Sequence, residues 1–114
     1  MITTQNLSKS WDELTDLINK SESILLSTHA NPDGDGLGSE VGFYYHLKKL
    51  GKECRIINVS PLPEVYNCID PDRVIETYTI EHNEWINQVD VTILFDIGDF
   101  KRIKEIYPQI KNSK

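Results

Sequence analysis

The sequence predicts an α/β fold in which helices flank a mostly parallel sheet, and two observations support this prediction. Short apolar runs at 23–28, 54–59 and 91–95 have the length and composition of buried strands. Longer segments around them, such as 37–50, carry apolar residues at helical spacing. Strands that alternate with helices are typical of a parallel sheet with crossover connections.

The first predicted helix covers residues 10–20, with Ser10 as its N-cap. Its apolar residues recur at helical spacing, which favours a packing role for Trp11 over a ligand-stacking role. The first strand follows over 23–28. The second helix is predicted over 37–50, and Gly51 directly after it is typical of a helix end.

Shorter elements make up the second half of the chain. After the strand over 54–59, two prolines within 60–63 interrupt the pattern, and a short turn or helix is expected up to Asp70. The remaining predicted elements are a short strand over 73–78, a helix over 81–88, a strand over 91–95 and a helix over 100–107 that ends before Pro108.

Length and composition indicate one small domain. The 114 residues are 39% hydrophobic and 26% charged, which is typical of a globular protein with a core. The formal net charge of -6 argues against duplex DNA and anionic membranes as partners. The sequence shows no secretory signal, and Cys54 and Cys68 do not form a Cys-x-x-Cys pair, so we expect a cytoplasmic location.

The most informative segment is 29–39, which reads His-Ala-Asn-Pro-Asp-Gly-Asp-Gly-Leu-Gly-Ser. It places the imidazole of His29 and the carboxylates of Asp33 and Asp35 on a glycine-rich turn after a buried strand. Neighbouring carboxylates repel each other unless a cation intervenes, and carboxylates with an imidazole suit Mn²⁺, Mg²⁺, Fe²⁺ or Co²⁺. The segment therefore predicts a metal site, although Asp-Gly-Asp-Gly alone is also a good surface turn.

A further metal ligand is predicted where the strand over 91–95 ends, at Asp96. Ligands gather beyond the carboxyl ends of parallel strands, so neighbouring strands would bring Asp96 close to His29. Beyond it, Asp99 is either a helix N-cap or part of the site. Arg102 would then bind a substrate phosphate or support Asp99.

Other motifs fit the segment less well. An EF-hand loop starting at Asp33 fails because Leu37 and Tyr44 stand where oxygen ligands belong. A Walker loop fails because the required lysine after glycine is missing. A haloacid-dehalogenase-like phosphatase stays open as an alternative, with Asp33 as a covalent nucleophile, although residues 29–32 separate its Asp-x-Asp from the strand.

At these residues the chain resembles the DHH family of phosphoesterases. The first motif of that family, His-x-x-x-Asp-x-Asp, matches at 29–35. The second motif, an apolar strand ending in Asp and followed by Asp and Arg, matches at 96–102. The extended form at 31–39 is most similar to the branch that degrades very short RNAs and 3′-phosphoadenosine 5′-phosphate.

The resemblance implies a hydrolase that cleaves short oligoribonucleotides or nucleotide phosphates through a water activated by two metal ions. It implies that His29, Asp33 and Asp96 hold one Mn²⁺ and that Asp35 and Asp96 hold the other, with Mg²⁺ or Co²⁺ as further candidates. The implied partners are short single-stranded RNA, dinucleotides and nucleotide bisphosphates, and a homodimer is a further expectation. Inorganic polyphosphate stays open as a substrate.

The sequence departs from the family in three respects. It contains no Asp-His-His motif, it lacks the Asp of the fourth family motif, and it lacks the family's substrate-binding domain. We therefore expect residues 1–114 to form the N-terminal part of a DHH phosphoesterase domain. We also expect this chain to be inactive by itself. A non-catalytic metal-binding fragment is thus a second hypothesis for the chain as given.

Overall fold

The computed structural model describes residues 4–95 and 105–110, with side chains described from residue 10 onward. The helices and strands within these ranges are α1 (Thr4–Lys20), β1 (Ser23–Thr28), α2 (Gly34–Lys49), β2 (Glu53–Asn58), β3 (Ile75–Thr77), α3 (Asn83–Gln88), β4 (Val91–Phe95) and α4 (Tyr107–Ile110). Two 3₁₀ helices, Glu64–Ile69 and Ile80–His82, lie in the connections on either side of β3.

The four described strands form one sheet in the order β3-β2-β1-β4, and every pairing between them is parallel. In the centre, Leu26 of β1 pairs with Ile56 of β2 on one side and with Ile93 of β4 on the other. A central parallel strand is covered on both faces, which explains the unbroken apolar run of β1. The α/β fold that the sequence predicted is confirmed.

Helices cover both faces of the sheet and produce two apolar layers. On one face, Ile24 and Leu26 of β1 belong to a cluster that includes Val41 and Leu47 of α2. On the other face, residues of the strands pack with apolar side chains of the C-terminal half of the chain: Leu25, Ile57, Ile86, Val89, Ile106 and Ile110. None of the helices in the described part of the chain is long and apolar enough to cross a membrane.

Helix α1 differs from its prediction in extent and in packing. It begins at Thr4, before the predicted cap at Ser10. Trp11 is 59% exposed, so the packing role predicted for it is wrong. The helix contacts the core through its C-terminal half, where Leu14, Leu17 and Ile18 pack against the sheet, and Trp11 lies one turn before that contact begins.

Two helix boundaries near glycine and proline also differ from the predictions. Helix α2 begins at Gly34 and not at residue 37, so Asp35 lies in its first turn and not on a loop. Helix α4 contains Pro108, so the predicted end before Pro108 is wrong. Proline is tolerated in the first turn of a helix because the N–H groups there have no intrahelical partner. Most of the helix predicted over 100–107 lies outside the described residues.

Candidate metal centre

Strands β1 and β4 end side by side at the carboxyl edge of the sheet. Their register pairs Thr28 with Phe95, and the Thr28 hydroxyl donates a hydrogen bond to the Phe95 carbonyl at 2.7 Å. His29 and Asp96 are the next residues along the chain. Asp96 itself lies outside the described residues. The strand pairing that would bring these two side chains together is therefore present as far as β4 is described.

His29 is held in a form that suits metal binding. Its side chain is buried, and Nδ1 lies 2.7 Å from the Ala30 carbonyl oxygen. A carbonyl only accepts hydrogen bonds, so this contact requires a proton on Nδ1, and the tautomer with that proton has its ring lone pair on Nε2. A histidine that ligates a metal commonly has its other nitrogen held by a carbonyl in this way. The geometry of His29 therefore fits the predicted role.

Asp33 and Asp35 lie at the N-terminus of α2. Asp33 is the N-cap, and its Oδ1 accepts a hydrogen bond from the Gly36 N–H at 3.0 Å. Asp35 follows in the first turn, and both carboxylates are exposed. The positive end of the helix dipole favours negative charge at this position. Both carboxylates thus lie at the N-terminal end of α2, directly after the loop that follows β1.

The segment after β2 braces the loop that carries these residues. The N–H of Asn31, a residue with a φ of 55°, donates to Ser60 Oγ at 3.0 Å. The ring of Tyr66 lies against the start of α2. It is so close that a Cβ atom added to Gly34 would be 3.3 Å from Tyr66 Cε1. The sequence pattern predicted a break at 60–63 and a short turn or helix up to Asp70, which agrees with the 3₁₀ helix Glu64–Ile69, but it gave no indication that Ser60 and Tyr66 contact the motif loop.

The described ligands do not form a complete site by themselves. Among residues 4–95 and 105–110, no three His, Cys, Asp or Glu side chains form a group that could hold a metal ion. The family resemblance assigns His29 and Asp33 to one ion and Asp35 to the other, with Asp96 shared between them. Asp96, Asp99 and Arg102 all lie outside the described residues. The donor chemistry that is described, two carboxylates and an imidazole with its lone pair on Nε2, fits Mn²⁺ or Mg²⁺.

A buried polar chain, which the sequence analysis also missed, lies beneath the strand ends. Asn58 Nδ2 donates to Glu40 Oε2 at 2.9 Å, and Asn58 Oδ1 accepts the Thr28 N–H at 3.2 Å. All three residues are fully buried. Burial raises the pKa of the Glu40 carboxyl to about 8, and the hydrogen bond from Asn58 partly opposes this rise. Glu40 is therefore largely protonated at neutral pH.

The sequence did contain a signal for Glu40. Leu37, Glu40, Tyr44 and Leu47 follow each other at intervals of three or four residues, which places them on one helix face. A glutamate within an otherwise apolar stripe predicts either a break in the stripe or a buried acid with a partner. The partner, Asn58, ends an apolar strand, but nothing local connects it to Glu40.

Known proteins match the chain over different lengths. No family model matches it. The bifunctional oligoribonuclease and PAP phosphatase NrnA of Thermus thermophilus is 41% identical over 51 residues, which cover 39% of this chain and 16% of that protein. The crystal structure of an exopolyphosphatase-related protein from Bacteroides fragilis matches with a TM-score of 0.83 and 24% identity, over 90% of this chain and 31% of that chain.

The chain is similar to the N-terminal portion of a DHH phosphoesterase. The structural match confirms the fold of that portion, and the sequence match confirms the resemblance that the motifs indicated. The chain spans 16% of the length of the curated relative and 31% of the structural one.

Proposed function

We propose that this chain contributes part of a two-metal centre, with His29, Asp33, Asp35 and Asp96 as the ligands and Mn²⁺ as the ion. The observation that carries the proposal is the pairing of Thr28 with Phe95, the residues that precede His29 and Asp96. Parallel strands collect ligands beyond their carboxyl ends, and in the sequence His29 and Asp96 directly follow the last residues of β1 and β4. Mg²⁺ and Co²⁺ suit the same donors.

The reaction we propose is phosphoester hydrolysis by attack of water on phosphorus. When bound, two divalent ions supply the Lewis acidity that this reaction needs. The contribution of the chain is to hold the donors: Ala30 fixes the tautomer of His29, and the cap at Gly36 fixes one oxygen of Asp33. The net charge of -6 disfavours a phosphorylated substrate unless cations are bound, so the proposal couples substrate binding to metal binding.

The substrates we propose are short oligoribonucleotides, dinucleotides or nucleotide bisphosphates. The name of the Thermus thermophilus relative, an oligoribonuclease and PAP phosphatase, supports this class. The name of the structural relative, an exopolyphosphatase-related protein, keeps inorganic polyphosphate as a second substrate to assay. In this proposal Arg102 binds a substrate phosphate and Asp99 orients Arg102. The location we propose for this reaction is the cytoplasm.

A non-catalytic metal-binding fragment is the second candidate, and the short span of the match favours it. The chain spans 16% and 31% of its relatives, and its sequence contains half of the four family motifs. We therefore expect hydrolysis by this chain to be weak or absent even where metal binding is intact. Rapid Mn²⁺-dependent release of mononucleotides from a dinucleotide by the purified 114 residues would contradict this expectation.

A calorimetric titration of the chain with Mn²⁺ tests the proposed centre. We expect saturable binding, and we expect Asp96→Asn to weaken it at least tenfold because a shared ligand loses its charge. Asp16→Asn, an exposed carboxylate on α1, is the matched control and should bind as the wild type does. If Asp96→Asn is folded and binds Mn²⁺ as tightly as the wild type, Asp96 does not meet His29 and the proposal fails.

The haloacid-dehalogenase-like alternative predicts a covalent aspartyl-phosphate on Asp33. In the structure Asp33 is an exposed helix cap, five residues beyond the end of β1, and its Oδ1 already accepts the Gly36 N–H. This setting favours a cation ligand over a nucleophile that must leave the cap to attack. A fluoroberyllate adduct that Asp33→Asn removes would instead support the alternative.

A further inference from the structure

The carboxyl of Glu40 is the most unusual buried group in the described part of the chain. It lies on α2, is fully buried, and has one oxygen, Oε1, without a hydrogen-bond partner among the described residues. Its other oxygen, Oε2, accepts the Asn58 side-chain amide at 2.9 Å. The proposed metal centre does not use Glu40, so its burial requires a separate explanation.

Asn58 connects Glu40 to the strand ends. The N–H of Thr28 can only donate, so the oxygen of the Asn58 amide must face Thr28 and its nitrogen must face Glu40. The Asn58 backbone carbonyl also accepts the Tyr78 N–H at 2.7 Å, next to the last pair of β2 and β3. Asn58 therefore ties β2 to β1 by its side chain and β2 to β3 by its backbone.

Thr28 continues this path to the other side of the sheet. Its hydroxyl donates to the Phe95 carbonyl at 2.7 Å. Hydrogen bonds thus run without a gap from α2 through the ends of β2 and β1 to the end of β4. Two residues on this path, Thr28 and Phe95, directly precede the proposed ligands His29 and Asp96. A substitution of Glu40 would therefore alter the hydrogen bonds of the residues that directly precede the proposed ligands in the sequence.

An apolar residue at position 40 would fill the same space in the core with a smaller free-energy cost of burial. Leu37 and Leu47, on the same helix face, are fully buried without any polar group. Burying a carboxyl costs free energy unless it is neutral and hydrogen-bonded, and the burial of Glu40 accordingly raises its pKa and favours the neutral form. The neutral acid accepts a hydrogen bond from Asn58 that no apolar side chain could replace.

We infer that Glu40 is a positioning residue for the proposed metal centre. Through Asn58 it orients the N–H of Thr28, and it thereby fixes the direction in which β1 delivers His29. That Glu40 orients Thr28 depends on the hydrogen bonds alone. That Glu40 thereby affects metal binding rests on the proposed function. The two parts are separated by the measurements below.

The test compares Glu40→Gln with Glu40→Met in the 114-residue chain. Glutamine keeps the acceptor for Asn58 and methionine keeps only the volume. We expect Glu40→Gln to keep the Mn²⁺ affinity within twofold and Glu40→Met to lower it at least tenfold. In the metal-free chain we expect the Thr28 amide resonance and the Asn58 side-chain amide resonances to shift in Glu40→Met and to stay near their wild-type positions in Glu40→Gln.

Ser27→Ala is the matched control, because it removes a buried hydroxyl group two residues before His29. Ser27 is fully buried on β1 and its hydroxyl has no partner among the described residues. The alternation of side chains along a strand places it on the opposite face from Thr28. We expect Ser27→Ala to leave the Mn²⁺ affinity and the Asn58 resonances unchanged.

Three results would overturn the inference. The first is a folded Glu40→Met variant with wild-type Thr28 and Asn58 resonances. The second is a tenfold loss of Mn²⁺ affinity in folded Glu40→Gln, which decides the matter even if Glu40→Met does not fold. The third is an equal loss in Ser27→Ala. If the wild-type chain binds no Mn²⁺, the proposed function fails, and the amide resonances still decide whether Glu40 positions Thr28.

Discussion

Single residues at the carboxyl edge of the sheet combine full burial with polarity. Glu40, Asn58 and Thr28 are fully buried, and each uses a hydrogen bond to another of the three. Elsewhere β1 and β2 bury leucine and isoleucine. The hydrogen bonds between these buried groups restrict their relative geometry. These three residues therefore connect α2 to the ends of β2 and β1, where the chain leaves the sheet toward His29.

We expect Glu40→Gln to remove a loss of stability that the wild type shows as the pH rises from 4.5 to about 8. The pKa of Glu40 is raised from 4.5 to about 8, so the folded chain keeps a proton that the unfolded chain releases. The stability contributed by this group is fully present below pH 4.5 and falls as the pH rises toward 8. Relative to Glu40→Gln, the wild type should lose on the order of 5 kcal/mol of unfolding free energy over this range.

Urea denaturation at low and high pH measures this difference directly. Because wild type and Glu40→Gln share every other titrating group, the difference between their pH profiles isolates Glu40. Glu84→Gln, at an exposed position of α3, is the control and should follow the wild-type profile. Parallel profiles for wild type and Glu40→Gln would show that the Glu40 carboxyl is not buried in its neutral form.

At the scale of elements, α2 connects the motif loop to the core. Its N-terminus is made by Asp33, which caps the helix, and its C-terminus is followed by Gly51 at a φ of +80°. One face packs on the sheet through residues such as Leu47, whereas Gly42 on another face has open space around it. The position of the candidate ligands therefore depends on where this helix begins and how firmly it packs.

Two glycines of this element should respond to alanine in opposite directions. Around Gly42 a Cβ would meet no atom within 4 Å, so Gly42→Ala should raise stability by about 0.5–1 kcal/mol through helix propensity. Gly51 has a left-handed backbone that disfavours a Cβ, so Gly51→Ala should lower stability by about 1 kcal/mol. Urea denaturation compares the two variants, and changes of the same sign would contradict the helix end described here.

At the scale of the whole molecule, the strand order decides which loops meet. The order β3-β2-β1-β4 places β1 between β2 and β4, so the loop after β1 is flanked by the ends of both neighbours. The side chain of Ser60, beyond β2, accepts a hydrogen bond from Asn31 in this loop. The candidate site therefore draws on segments that are distant in sequence, and metal binding should stabilise the fold as a whole.

We expect Mn²⁺ to raise the melting temperature of the chain. A ligand at 100 times its Kd that binds the folded state alone contributes about 2.7 kcal/mol, which corresponds to roughly 10–20 °C for a domain of this size. Asp33→Asn should reduce the rise, because asparagine keeps the helix cap and loses the charge. Differential scanning fluorimetry with and without a chelator makes the comparison. An equal rise in wild type and Asp33→Asn would exclude Asp33 as a ligand.

Much of this organisation was predictable from the sequence, because its causes are local. The apolar runs predicted β1 and β4 at their observed bounds, and the pattern of strands and helices predicted a parallel sheet. The segment 29–39 indicated its chemistry from residue types and spacing alone. The start of α2 was predicted three residues late because two glycines weakened the helical pattern, whereas the Asp33 cap supports a helix from Gly34.

The chemistry of the motif and the succession of strands and helices were determined by the sequence itself, since each depends on residues within a few positions of one another. Only the tertiary structure decided that Trp11 is exposed and that Glu40 is buried against Asn58. Glu40 is 18 residues from Asn58, and Asn58 is 30 residues from Thr28. Periodicity assigns a side chain to a helix face or a strand face, but the hydrogen-bond partner on the opposite element exists only once the sheet has assembled.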